Sequence, residues 1–151
     1  MKARAAEVAQ LNDRWDKADG LGRPELVLLA VNLHGWYTAF ETALERVARL
    51  LDQSIPEGSS WHIDLLAQMK LDIPGVRPAV IPEGAMQALH NLRKFRHFFR
   101  NAYVLDLDPV QVKQRAADLL QADPPLATAM ANLQAHIGAT LAELALMIPR
   151  R

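Results

Sequence analysis

Residues 26–51 contain no proline and a single glycine, Gly35, and Pro24-Glu25 immediately before them form a helix start. Proline's fixed φ suits a first helical turn, and an acid beside it favours the positive end of the helix dipole. A helix this long is stable in water only if it buries an apolar face against other elements. No run elsewhere shows sustained two-residue alternation rich in branched residues, so those elements are helices too. The expected fold is all-α, an antiparallel bundle of about five to six helices. A chain of 151 residues suits one domain, 1–151.

Other helices are marked by spacing and punctuation. Ala5, Val8, Leu11 and Trp15 recur at three- and four-residue steps and predict a helix over 2–18, ended by Asp19-Gly20-Leu21-Gly22. Residues 54–60 are turn formers, and Ser60 is placed to cap a short helix over 61–69 with Asp64 in its first turn. Pro74, Pro78 and Pro82 forbid regular structure and make 72–82 an extended, proline-rich crossover. Pro82-Glu83 opens the next helix, predicted to reach Val104 or Leu105. Asp108-Pro109 starts another over 109–121, and Asp123-Pro124-Pro125 repeats that start signal for a last one. In that last helix Leu126, Met130, Leu133, Ile137, Leu141, Leu144 and Ile148 read as a core-facing stripe.

Seventeen bases balance seventeen acids, so nothing global argues for a polyanion coat or a membrane surface. The absence of cysteine removes disulfides, thiol catalysis and thiolate metal sites, and fits a cytoplasmic location. The N-terminus meets acids and amides before a signal peptide could form, and the run 26–31 stops at Asn32, so no membrane partner is expected. There is no Glu-x-x-His pair, no His-Glu-x-x-His, no phosphate-cradling glycine loop and no Gly-x-Ser-x-Gly elbow. Neither a metal nor a cofactor is expected.

Positive charge is instead concentrated in 92–103, Leu-Arg-Lys-Phe-Arg-His-Phe-Phe-Arg-Asn-Ala-Tyr. On an ideal helix Leu92, Phe95, Phe98, Phe99 and Ala102 share one arc, expected to face the core, while Arg93, Arg96, His97 and Arg100 share the next, expected to face water or a ligand. Guanidinium is a bidentate donor that stays charged, so Arg93, Arg96 and Arg100 suit a phosphate backbone, although a solvated helix face has the same composition. His97 adds a group able to move a proton, and Asn101 and Tyr103 add polar chemistry beyond charge. His34, His62, His90 and His136 read as structural. On the long helix His34, Tyr37, Glu41 and Glu45 form one polar-edged face, a site or an interface, or for the two glutamates plain surface.

Arg96, four residues, Asn101, one residue and Tyr103 resemble the Arg-x-x-x-x-His-x-Tyr signature of HEPN-domain proteins, with asparagine where the family has histidine. The run through Tyr37, Glu41, Leu44, Glu45, Ser54-Ile55-Pro56, Trp61-His62, Leu65-Leu66, Gln68-Met69, 74–81 and 92–100 is similar to the HepT-like branch, so the resemblance covers about 30–108. It implies a helical bundle that pairs into a two-fold dimer with a composite groove. It further implies the toxin component of a bacterial toxin–antitoxin pair, a metal-independent endoribonuclease in which Arg96 steadies the phosphate. A small nucleotidyltransferase is the implied antitoxin, with Tyr103 the implied adenylylation site. Asn101 departs from the pattern, because an amide does not exchange a proton usefully near neutral pH; His97, about 40° away on the wheel, is the imidazole nearest to it on that helix. Arg96 and Asn101 sit about 140° apart, so one straight helix cannot aim both at one atom, whereas two copies can. The alternatives are a catalytically inactive homologue that binds RNA, nucleotide or a nucleotidyltransferase, and a structural bundle with solvated charges.

Overall fold

A computed structural model describes residues 1–101 and 106–147, Asn101 by its backbone alone. Ala102, Tyr103, Val104, Leu105 and Ile148, all used above, lie outside the described residues, as does the side chain of Asn101. Among the described residues every regular element is helical: α1 (Lys2–Ala18), α2 (Arg23–Val47), α3 (Trp61–Met69), α4 (Met86–Asn101) and α5 (Pro109–Met147). None is long and apolar enough to cross a membrane.

The centre of the bundle is α2, against which α1, α3, α4 and α5 all pack. Leu29, Leu33, Trp36, Tyr37, Phe40 and Leu44 are fully buried along it. Removing a large apolar side chain from water contributes about 1.5–3 kcal/mol, so this helix supplies much of the folding drive. Its start is secured by Glu25, whose carboxylate accepts the Gly22 amide proton at 3.2 Å and pairs with Arg14 of α1. Its far end widens into a π-turn, Ala48–Asp52. The first helix stops where expected, with Asp19 in the left-handed region at φ 51°.

The crossover is extended but anchored. Ile73-Pro74-Gly75-Val76 closes a tight turn, Val76 N to Ile73 O at 2.9 Å, and Gly75 supplies the positive φ of 76° that such a turn needs. It delivers Arg77 into the interior, where all five guanidinium protons find acceptors: Asp52 Oδ1 at 2.6 Å and Oδ2 at 2.7 Å, and the carbonyls of Leu71, Gln68 and Pro78 at 2.9, 3.1 and 3.2 Å. A short 3₁₀ turn, Glu83–Ala85, then leads into α4.

Two expectations are corrected. Asp123-Pro124-Pro125 does not separate two helices, because α5 runs unbroken through both prolines. They deprive the Leu120 and Gln121 carbonyls of helical donors. Burial of Leu119, Ala122, Leu126 and Leu133 on either side, together with the Trp36 Nε1–H bond to Asp123 Oδ1 at 3.0 Å, holds the helix together across the gap. The stripe on its second half also ends early: Leu126 and Leu133 are buried and Met130 and Ile137 half-buried, but Leu141 and Leu144 are 61% and 52% exposed. There the helix has outrun the elements it packs on.

Candidate functional site

The face of α2 that carries His34, Tyr37 and Glu41 turns inward against α4. One-turn spacing stacks these side chains in a row, and the matching row on α4 is Arg96 and Phe99. Glu41 is the pivot. It is buried, and its two carboxylate oxygens hold different elements: Oε1 lies 2.6 Å from His62 Nδ1 of α3, and Oε2 lies 3.0 Å from Arg96 Nη2 of α4. A carboxylate enclosed this way needs charged or strongly donating partners, and it has two.

Arg96 is therefore not laid out on a solvated arc. Its side chain is 12% exposed, and its Nε is enclosed without a hydrogen-bond partner. Arg93 is half-buried with its Nε in the same condition, whereas Lys94, His97 and Arg100 stand exposed. The aromatic arc divides as well. Phe95 is buried and Phe99 half-buried, 6.0 Å between ring centroids, but Phe98 is 51% exposed and not core. A full apolar arc is wider than the strip α4 can press on α2 and α5, so its edge residue remains in water.

Tyr37, one turn before Glu41, is fully buried, and its hydroxyl makes no hydrogen bond of good geometry. Burial, reinforced by the negative charge of Glu41, pushes the phenol far above its usual range, so it stays protonated. His34 packs its ring 5.1 Å from Phe99 and keeps Nε2 enclosed without a partner. Burial, then the charges of Arg96, Arg100 and Arg4, hold this imidazole below its ordinary value and favour the neutral ring. Arg4 arrives from α1 across Gly35, where an added Cβ would fall 2.5 Å from the guanidinium carbon. Glycine there lets the arginine lie against the helix backbone.

The structure thus joins Arg96, Tyr37 and Glu41 in one buried cluster with Arg93 and His34 beside it, and leaves His97 and Arg100 exposed. Asn101 continues α4, and Tyr103 falls outside the described residues. Two members were missed in the sequence. By sequence alone His62 reads as structural and Arg4 carries no mark of a site; the first is 21 residues from its partner and the second belongs to another helix, so no local spacing ties either to α4. Among the described residues no three His, Cys, Asp or Glu side chains converge as a metal site would require.

A groove of about 510 Å³ lined by Met1, Val47, Met130 and Ile137 shares no residue with this cluster. No curated protein and no solved structure matches the chain. A family model described as HepT-like protein matches residues 28–137, which takes in Glu41, His62, the crossover and the whole of α4. The match extends the resemblance read at 30–108 well into α5. The chain belongs to the HepT-like family of the HEPN superfamily.

Proposed function

We propose that the chain is the toxin component of a toxin–antitoxin pair, acting in the cytoplasm as a metal-independent endoribonuclease, with RNA held by Arg96 and flanked by Arg93 and Arg100. The observation that carries this reading is the Glu41 clamp on Arg96 inside the family-matched segment. A guanidinium fixed through one nitrogen keeps further donors for a phosphate and loses little entropy on binding it. The site is shared by two copies in a homodimer, since Arg96 and Asn101 diverge along one helix. A nucleotidyltransferase antitoxin adenylylates Tyr103. A second reading, an inactive homologue that binds RNA, nucleotide or that transferase, is favoured by one observation, the amide at Asn101.

Cleavage of single-stranded RNA by this chain and by Asn101→His, each with and without chelator, tests the proposal. Both are expected to cut RNA in chelator, the variant faster, and binding should weaken steeply with salt, with a slope of about −0.7 per phosphate neutralised. RNA bound but uncut by both proteins would establish the second reading instead. Absence of both binding and cleavage would overturn the ribonuclease reading and, of the second, leave only binding of nucleotide or the transferase.

A further inference from the structure

We propose that His62 is the proton acceptor of the RNA-cleaving site, aimed by Glu41, an assignment that rests on Arg96 being the phosphate ligand. Asn101 stands where the HEPN signature that this sequence resembles has histidine, so on the ribonuclease reading the imidazole comes from elsewhere near Arg96. His62 is joined to Arg96 through a single carboxylate: Nδ1 at 2.6 Å from Glu41 Oε1, and Arg96 Nη2 at 3.0 Å from Oε2 of the same group. A carboxylate accepting from Nδ1–H fixes the tautomer in which Nε2 carries the lone pair, the arrangement a general base requires. The His62 ring is tilted against Trp61 with centroids 3.6 Å apart, which limits its rotation, and its side chain is 25% exposed, which leaves it reachable.

Three of the other imidazoles lack this setting. His34 has its Nε2 enclosed against Phe99 and three arginines near it that oppose its taking a proton. His90 is held below its ordinary value by burial, then by Arg93 and Lys94. His136 Nε2 is engaged with the Val76 carbonyl at 3.1 Å. His97 is exposed while its neighbour Arg96 is enclosed, so the two side chains leave α4 in different directions.

In the proposed step His62 Nε2 takes the ribose 2′-hydroxyl proton, the 2′ oxygen bonds to phosphorus, and the bond from phosphorus to the 5′ oxygen breaks. Water protonates the leaving oxygen, and the imidazolium returns its proton to solvent. The products are a 2′,3′-cyclic phosphate and a 5′-hydroxyl, with no change of oxidation state. Arg96 balances the charge that accumulates on the phosphoryl oxygens.

The test is cleavage of an end-labelled single-stranded oligoribonucleotide in chelator by five proteins: this chain, His62→Gln, His62→Gly, Asn101→His and the Asn101→His/His62→Gln double variant. Glutamine keeps an N–H for Glu41, and thermal melting with RNA binding reports whether each fold is intact. The expected result is cyclic-phosphate ends from this chain, a loss of at least about a hundredfold in His62→Gln with RNA affinity unchanged, and partial recovery of His62→Gly by added imidazole. Cleavage by His62→Gln at the rate of this chain overturns the assignment. So does cleavage by Asn101→His and the double variant alone, an outcome that leaves the ribonuclease reading of the scaffold standing. Loss of RNA binding in all five proteins overturns both.

Discussion

The Arg77–Asp52 pair is the residue on which the crossover depends. Both side chains are essentially enclosed, at 0% and 3% exposure, and Gln68 Nε2 adds a third donor to Asp52 at 2.6 Å. Burial alone would raise the Asp52 carboxyl, but hydrogen bonds from Arg77 and Gln68, then the charge of Arg77, outweigh it and hold the group below its ordinary 3.8. Removing one partner of such a pair costs about 3–5 kcal/mol, so Arg77→Met is expected to unfold at much lower urea at pH 7. The sign with pH follows from the depressed carboxyl. Its stabilisation is complete above the unfolded value of 3.8 and is lost as pH falls through the folded one, so the gap between this chain and Arg77→Met narrows below about pH 4. Equal gaps at pH 7 and pH 3 would show that Asp52 is not the linked group.

At the scale of elements, α5 is held to α2 at the very place where its own hydrogen bonding is weakest. Trp36 is fully buried on α2, and its indole N–H has Asp123 as acceptor, the residue just before the two prolines. In Asp123→Ala that N–H is left buried and unsatisfied, a loss of about 1–3 kcal/mol by denaturant titration followed through tryptophan fluorescence. Pro124→Ala acts in the opposite direction, because it returns a donor to the Leu120 carbonyl on an exposed face and removes a residue that disfavours helix interiors. The same packing logic explains α4. Its basic residues were legible as a cluster, but which of them lies inside was set by Glu41 across the interface, and a helical wheel drawn for one helix contains no neighbour.

Across the whole molecule, the last stretch of α5 stands apart from the core. Residues 138–147 are exposed throughout, with Leu146 and Met147 at 86% and 79%. A chain ended after Gly138 is therefore expected to keep its unfolding free energy to within about 1 kcal/mol when measured at low micromolar concentration. A larger loss would mean that this end of the helix is covered in solution.

The sequence by itself determined the helical class, the boundaries of the first helix and of the short one over 61–69, the irregular crossover, and the grouping of bases with a HepT-like signature. These follow from periodicity, punctuation and composition, which act over a few residues. Tertiary structure alone decided that two prolines lie inside one helix, that Phe98 is left in water, and that Arg96 is drawn inward. It also decided that His62 and Arg96 share one carboxylate. Each of these depends on what lies opposite a residue after folding: burial on a neighbour offsets missing hydrogen bonds at Pro124 and Pro125, and an enclosed Glu41 is tolerable only with both of its partners in place.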